Sequence, residues 1–209
     1  MDDWPRAPKY VVGLGNPGRR YQLTRHNVGF MVLAVLRERW DFGRARDRFG
    51  GRVWTGRIES APVMLLAPQT YMNESGRAVA EMVTFHKASP SSVLVVLDDM
   101  ALPLGRLRAR SRGSAGGHKG LADIARALGT DEVPRLRVGI GSPPEQMDAV
   151  AYVLSRFDEQ EQAEMSGAVR RAADAAAAWA TAGIECVMNA YNQGDPNGDA
   201  PESTKDGND

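Results

Sequence analysis

The chain lacks the features expected of secreted or membrane-anchored proteins. Its 209 residues include one cysteine, Cys186, so no disulfide can form within the chain, which is typical of a reducing compartment. No uninterrupted apolar run approaches 18 residues, and the opening stretch MDDWPRAPKY contains no apolar signal segment. We therefore predict a cytoplasmic protein without a membrane partner.

An excess of charge of one sign is also missing. The 26 basic residues balance 26 acidic residues, so the total gives no general reason to bind nucleic acid or an anionic surface. The distribution is uneven, because residues 194–209 carry five acids, one lysine and no large apolar side chain. We predict that 194–209 form a disordered acidic tail and that 1–193 form one domain with a net charge of +4.

Apolar runs and helical periodicities alternate along the chain, which predicts an α/β fold with a central mixed sheet. Predicted strands cover 10–14, 51–60, 62–68, 92–97, 105–112 and 135–141. Predicted helices cover 27–39, 74–86, 120–129, 158–181 and 184–192, with Asn73 or Ser75 near the N-cap of the second. Catalytic residues in such folds gather beyond the carboxyl ends of strands, where Asn16 and Asp98 are expected.

Two glycine-rich stretches resemble nucleotide-binding loops but fail on detail. GLGNPG at 13–18 has the spacing of a dinucleotide fingerprint, yet Pro17 lies between the glycines and helical periodicity begins only near Asn27. GSAGGHKG at 113–120 has His118 where a phosphate loop needs glycine, and Gly120 where it needs a hydroxyl. Neither NAD nor a nucleoside triphosphate is therefore expected. Asn16 has the alternative role of a simple turn residue.

The three histidines differ in the roles that their sequence positions predict. His26, in TRHN just before the first helix, has the chemistry of a general base near neutral pH. His118 is equally consistent with a functional role and with capping the helix that follows. His86, at a helix end, is expected to be a solvated surface residue.

Asp98 and Asp99 follow the apolar run VLVVL, and a partly desolvated carboxylate there would orient an imidazole well. The alternatives are a turn or helix-cap aspartate, and a magnesium site, although no further carboxylate lies in a similar setting. Cys186 is expected to be a buried thiol, and no Cys/His cluster has zinc spacing. A water nucleophile therefore remains, with a histidine base, an aspartate that orients the base, and amide side chains that position the substrate.

A basic segment runs from Arg106 to Arg137, with eight basic and three acidic residues. Arginine forks suit phosphate oxygens, and the absence of interleaved aromatic residues favours phosphate contact over base stacking. The alternative is a solvated strand face.

Taken together, six stretches resemble the bacterial peptidyl-tRNA hydrolase family. In chain order they are VVGLGNPGRRYQLTRHNVG, PQTYMNESGRAV, LDDMALPLGRLRAR, GSAGGHKGL, RLRVGIGSPP and YVLSRF. The resemblance implies a single α/β domain with a twisted mixed sheet, no metal, and a monomer. It also implies hydrolysis of the ester that joins a peptide to the 3′-ribose of tRNA, so that peptidyl-tRNA is the partner.

By match of motif, the resemblance assigns roles to named residues. His26 would activate water and Asp98 would hold its ring, while Asn16 and Asn73 would position the peptide and polarise its carbonyl. The resemblance places further substrate-binding residues in the cleft and on the basic segment: Tyr21, Met72, His118, Lys119, Arg108, Arg110 and Arg137.

The chain departs from the family pattern at two positions. Lys119 replaces the usual Asn, and a lysine only donates hydrogen bonds and adds a charge. We expect it to contact a phosphate near the tRNA 3′ end or an oxyanion. Ala101 replaces a common acid, at a position expected to be peripheral. Because some relatives bind RNA without hydrolysing it, a noncatalytic RNA-binding protein is the alternative, although His26, Asp98, Asn16 and Asn73 are all present.

Overall fold

The computed structural model of the chain describes residues 8–192, so the expected tail at 194–209 lies outside the described residues. The strands are Lys9–Gly13 (β1), Arg46–Arg48 (β2), Gly51–Ile58 (β3), Ala61–Pro68 (β4), Val93–Asp99 (β5), Leu107–Arg110 (β6) and Arg135–Gly139 (β7). The α-helices are Val28–Arg39 (α1), Ser75–His86 (α2), Lys119–Leu128 (α3), Ala149–Val153 (α4), Glu159–Ala182 (α5) and Ile184–Tyr191 (α6). Single 3₁₀ turns lie at Arg19–Tyr21, Arg25–Asn27, Met72–Glu74 and Pro90–Ser92.

The seven strands form one mixed sheet in the order β2-β3-β4-β1-β5-β7-β6. The pairs β4/β1, β1/β5 and β5/β7 are parallel, whereas β2/β3, β3/β4 and β6/β7 are antiparallel. The predicted single α/β domain with a mixed sheet is confirmed. Because β4, β1, β5 and β7 run in parallel, their carboxyl ends meet at one edge, and this edge positions the site.

Helices cover both faces of the sheet and give three layers. Alternate residues of β5 enter different cores: Leu94 and Val96 pack with α1 and α5, whereas Val93, Val95 and Leu97 pack with α2 and α3. Strands buried on both faces need apolar residues at every position, which explains the continuous apolar runs of β1, β4 and β5.

Local sequence signals account for several helix ends. A capping box between Asp158 and Glu161 starts α5, and Gly129, with φ of 68°, ends α3. The N-cap of α2 is Glu74, which lies between the predicted neighbours Asn73 and Ser75 and makes no capping side-chain hydrogen bond, because the preceding 3₁₀ turn leads directly into the helix. The prediction of a buried Cys186 is wrong, since α6 exposes it.

The glycines of GLGNPG allow a helix to approach the sheet. A Cβ at Gly13 would lie 2.4 Å from the carbonyl oxygen of Gly29, and a Cβ at Gly29 would lie 2.3 Å from the backbone nitrogen of Leu14. This packing places the start of α1 against β1 and β5. The helix begins ten residues after Gly18, so its free amides do not face the glycine loop as a dinucleotide site requires.

The edge strand β6 is covered by one side chain from the end of α6. Asn192 accepts a hydrogen bond from the backbone N–H of Ala109 at 2.8 Å and donates to its carbonyl oxygen at 2.9 Å. The amide thereby replaces one residue of a neighbouring strand, which blunts the edge. Within residues 8–192, no helix combines the length and the apolar character that crossing a membrane requires.

We predict opposite effects of adding one methyl group at two helical glycines. Gly29→Ala should lower the free energy of unfolding by about 1–3 kcal/mol, because the new Cβ meets backbone atoms that cannot move aside. Gly167→Ala in α5 should raise it by about 0.5–1 kcal/mol, because only the flexible Arg171 side chain lies near and alanine favours the helix. Urea unfolding of both variants measures these changes, and equal effects would contradict the close packing of α1.

Candidate active site

A cleft of about 410 Å³ opens at the edge where the parallel strands end. Its polar lining comes from the loop after β1 (Asn16), the 3₁₀ turn before α1 (His26), the segment after β4 (Asn73) and the end of β5 (Asp98). The glycine loop before α3 closes one wall, and apolar residues of α4, among them Val150 and Val153, close another. Four separate sequence segments therefore converge on one concave surface.

His26 and Asp98 form a direct pair in this cleft. The Nδ1 atom of His26 lies 2.8 Å and 3.0 Å from the two carboxylate oxygens of Asp98. Because an ionised carboxylate only accepts hydrogen bonds, Nδ1 carries the proton and the lone pair of the neutral ring is on Nε2. The remaining nitrogen is therefore set up as a proton acceptor.

Asp98 is buried at 3% exposure but remains ionised. Burial alone would raise the pKa of this carboxyl, yet the electrostatic interaction and hydrogen bond with the His118 ring, and then those with the His26 ring, lower the pKa well below its ordinary value. The predicted desolvated carboxylate at the end of β5 is confirmed. Asp99 is used differently, because it accepts hydrogen bonds from Arg137 and from the backbone N–H of Ala101.

His118 both caps α3 and contacts the carboxylate. Its Nδ1 atom accepts a hydrogen bond from the backbone N–H of Leu121 at 3.2 Å, and its Nε2 atom lies 3.1 Å from Asp98 Oδ1. The two roles that the sequence left open thus occur together. His86, expected to be solvated, is half-buried and packs against the rings of Tyr10, Phe49 and Phe85.

Asn16 is held by a buried neighbour that sequence reasoning missed. Asn27 accepts a hydrogen bond from the backbone N–H of Asn16 at 2.8 Å and donates to its carbonyl oxygen at 2.9 Å. The Asn16 side chain in turn accepts from the backbone N–H of Met72 at 2.9 Å through Oδ1. This bond fixes the amide orientation, so the Nδ2 donor of Asn16 is the end presented to a ligand.

Three further predicted residues lie in the cleft. Met72 is buried in its wall, with its sulfur next to Gly120, so that any side chain at Gly120 would collide with it. Asn73 and Lys119 are exposed and line the opening. An amide and an ammonium group are therefore available to a ligand that enters.

Arg25 anchors the 3₁₀ turn that carries His26, and its sequence context gave no sign of this. Its guanidinium pairs with Glu161 at 2.6 Å, donates to the Ile140 carbonyl oxygen, and stacks on the rings of Tyr152 and Phe157. Ile140 and Glu161 lie 115 and 136 residues from Arg25 in the sequence, so only the fold reveals these contacts. The carboxylate of Glu161 also completes the capping box of α5.

The basic segment forms one face of the β6/β7 ladder. Arg108 lies opposite Arg137, and Arg110 lies opposite Arg135, so the four side chains share a face. Arg135 is buried and donates to the backbone carbonyl oxygens of Gly113, Ser114, Asp131 and Val133, which makes it a structural residue. Arg137 bonds Asp99 and the Ser114 carbonyl oxygen while also lining the cleft.

Two residues lie at positions that local patterns did not specify. Tyr21 is in the 3₁₀ turn after GLGNPG, where the Arg20 guanidinium packs over its ring, and the lining of the cleft does not include it. Its contact with the substrate stays a prediction. Ala101, expected to be peripheral, borders the cleft because the chain turns immediately after β5.

His26, Asp98 and His118 form the one group of metal-ligand type found within residues 8–192, with ligand atoms within 4.8 Å of one another. The nitrogen atoms that face the carboxylate carry protons in the hydrogen-bonded arrangement, so a cation could enter only after those protons left. The donor set would favour a transition metal over the magnesium considered for Asp98 and Asp99.

Known proteins resemble this chain over most of its length. The sequence profile of the family described as peptidyl-tRNA hydrolase matches residues 10–199. The peptidyl-tRNA hydrolase of Rhodopirellula baltica is 48% identical over 184 residues, which are 88% of this chain and 97% of that protein. That of Brevibacillus brevis is 44% identical over 184 residues, with the same coverage of both chains.

The fold has similar solved structures as well. A crystal structure of peptidyl-tRNA hydrolase from Acinetobacter baumannii aligns with a TM-score of 0.83 and 34% sequence identity. The alignment covers 90% of this chain and 95% of that structure.

We predict that the buried amide clamp on Asn16 contributes strongly to stability. Asn27→Ala should lower the free energy of unfolding by about 2–4 kcal/mol, because it leaves two buried backbone groups without partners. Asn192→Ala is the matched control, since Asn192 makes the same two bonds to Ala109 but is itself partly exposed, whereas Asn27 is 1% exposed, and it should cost less than about 1.5 kcal/mol. If urea unfolding gave equal losses, burial of the clamp would not be the cause.

Proposed function

The chain belongs to the peptidyl-tRNA hydrolase family and hydrolyses peptidyl-tRNA, and from this premise we propose that His26 is the general base and Asp98 its orienting partner. The observation that carries the proposal is the His26 Nδ1–Asp98 pair at 2.8 Å in the cleft. It leaves Nε2 of His26 as the acceptor for a proton from water.

The proposed reaction is the addition of water to the ester carbonyl carbon. His26 Nε2 takes a proton as the water oxygen attacks, and Asp98 stabilises the imidazolium that results without itself becoming protonated. When the tetrahedral intermediate collapses, the carbon–oxygen bond to the ribose breaks and the imidazolium returns its proton to the leaving oxygen. The products are a tRNA with a free 3′-terminal hydroxyl and a peptide carboxylic acid, which loses its proton to solvent and becomes a carboxylate.

The two asparagines supply hydrogen bonds to the reacting acyl group. Asn16 presents Nδ2, because its Oδ1 is occupied by the Met72 N–H, and a donor held in this way suits a developing oxyanion. Asn73, exposed at the opening, is proposed to bind the peptide backbone or to share the oxyanion. Amide side chains pair with backbone groups that all peptides possess, so recognition does not depend on peptide sequence.

The cationic residues are proposed to hold the tRNA. Arg108 and Arg110 on β6 extend the positive face from Arg137, which borders the cleft, and Lys119 places an ammonium group at the opening. Phosphates near the 3′ end would lie next to Lys119, and phosphates farther along the acceptor arm would reach β6. Tyr21, outside the cleft lining, keeps its proposed role in substrate binding and has no proposed role in the chemistry.

Several coarser proposals accompany this mechanism. Residues 1–193 are proposed to act as one catalytic domain with an acidic tail at 194–209, and the enzyme is proposed to work in the cytoplasm as a monomer without a metal or cofactor. A noncatalytic RNA-binding role would not need an ionised carboxylate buried against an imidazole. That pair therefore favours turnover over binding alone.

We predict that both members of the pair are required for turnover. In an assay that follows release of N-acyl-amino acid from N-acyl-aminoacyl-tRNA, His26→Ala should reduce kcat by about 10²–10⁴-fold, because the base is lost. Asp98→Asn should reduce kcat by a similar factor, because the amide donates to Nδ1 and favours the wrong tautomer.

The matched control is His86→Gln, a histidine change in the ring cluster of α2, outside the cleft. It should leave kcat within about twofold of the parent. Full activity in His26→Ala would remove His26 from the role of base and leave the family assignment untouched.

We predict that Arg110 contributes one phosphate contact. Arg110→Ala should weaken tRNA binding and reduce the slope of log Kd against log salt by about one, because one fewer counterion is displaced. Arg170→Ala is the control, since Arg170 is exposed on α5, away from the β6 face. Fluorescence anisotropy with labelled tRNA at several salt concentrations measures both slopes, and identical slopes would remove β6 from the contact surface.

A further inference from the structure

We infer that His118 is a positioning residue rather than a substrate-binding residue: as a neutral imidazole of fixed tautomer, it donates a hydrogen bond to Asp98 and thereby moderates the basicity of His26. The inference rests on the proposed role of His26 as base. It assigns to His118 a part in the reaction that acts through Asp98 and involves no contact with the substrate.

The cap on α3 fixes the tautomer of His118. Its Nδ1 accepts the backbone N–H of Leu121 at 3.2 Å, so that nitrogen has a lone pair and no proton. The neutral ring must then carry its proton on Nε2, which lies 3.1 Å from Asp98 Oδ1. A charged imidazolium, protonated on both nitrogens, would break the cap, so the neutral donor is the form that satisfies both contacts.

The same carboxylate therefore receives two N–H groups. Asp98 Oδ1 lies 2.8 Å from His26 Nδ1 and 3.1 Å from His118 Nε2, and the two imidazole rings are 5.1 Å apart. A second donor withdraws electron density from the carboxylate and reduces its attraction for a proton on His26. Without His118, Asp98 would hold the imidazolium form of His26 more strongly, and the free base would be scarcer at a given pH.

Among the groups around His26, His118 is the neutral residue that donates a hydrogen bond to the Asp98 carboxylate. From β5, Asp98 faces His26 directly, while Asp99 is paired with Arg137 of β7. From α3, Lys119 lines the same cleft, and the α4 residues in the lining are apolar. Arg25, next to His26 in the chain, is directed to Glu161 of α5 instead.

Two substitutions separate the two contacts of His118. Asparagine retains an oxygen near the position of Nδ1 and is a good N-cap, but it is too short to reach Asp98. Glutamine places an amide nitrogen near the position of Nε2, so it retains the donor and loses the cap. His118→Asn should therefore keep the cap on α3 while moving the acid limb of the kcat/KM profile upward by about 0.5–1 pH unit. His118→Gln should lower the thermal midpoint and leave the limb in place.

The pH profiles of the full chain and both variants, with N-acyl-aminoacyl-tRNA as substrate, test the inference. The inference would be overturned if the acid limb of the kcat/KM profile of His118→Asn lay at the same pH as in the parent. It would also be overturned if the acid limb moved in His118→Gln and not in His118→Asn. If His118 served only as a helix cap, His118→Gln would be less active, and the acid limb would lie at the parental pH in both variants.

Nuclear magnetic resonance separates failure of this inference from failure of the proposed function. In the parent, the ¹⁵N shifts of His118 should show a proton on Nε2 and none on Nδ1; the opposite pattern would overturn the inference. The His26 ring signals should titrate at higher pH in His118→Asn than in the parent, whether or not His26 is the base. A shift in these signals without a matching shift in the rate profile would refute the role of His26 and leave the coupling intact.

Discussion

Asp98 keeps an ionised carboxylate in a nearly buried position because His26 and His118 both direct N–H groups at it. An isolated charge at that depth would be costly, so each of the three residues constrains the other two. The carboxylate sets the tautomer of His26, and the cap on α3 sets the tautomer of His118. Removing the carboxylate would leave two imidazoles without a common partner and the proposed base without a fixed orientation.

The fold supplies this arrangement through features far from the reacting atoms. Gly29 brings α1 against β1 and β5, and this contact sets the distance between the 3₁₀ turn that carries His26 and the end of β5. Arg25 ties the same turn to Ile140 and Glu161, so the position of His26 depends on β7 and α5 as well. Asn27, one residue after His26, clamps Asn16. The tripeptide Arg25–Asn27 therefore contributes an anchor, the proposed base and a clamp.

Both glycine-rich stretches serve purposes other than nucleotide binding. Gly13 makes room for helix packing, and Gly120 makes room for the Met72 sulfur. The loop before α3 is held by backbone contacts from Arg135 and Arg137, which explains how a segment with several glycines keeps His118 in place. Part of the basic character of the segment is therefore structural, and only part of it is available to a phosphate-bearing ligand.

The sequence by itself determined the α/β class, most strand and helix positions, and the identity of the polar residues that reach the cleft. Apolar runs and periodicities report directly on burial, and each family motif is a contiguous stretch of sequence. Both can therefore be recognised without a structure. Only the tertiary structure decided that Asn27 clamps Asn16, that Arg25 anchors the turn, that Tyr21 and Cys186 lie where they do, and that His118 serves a cap and a carboxylate together. Those outcomes depend on contacts between segments far apart in the chain, or on the direction in which a loop turns. Local sequence patterns specify neither.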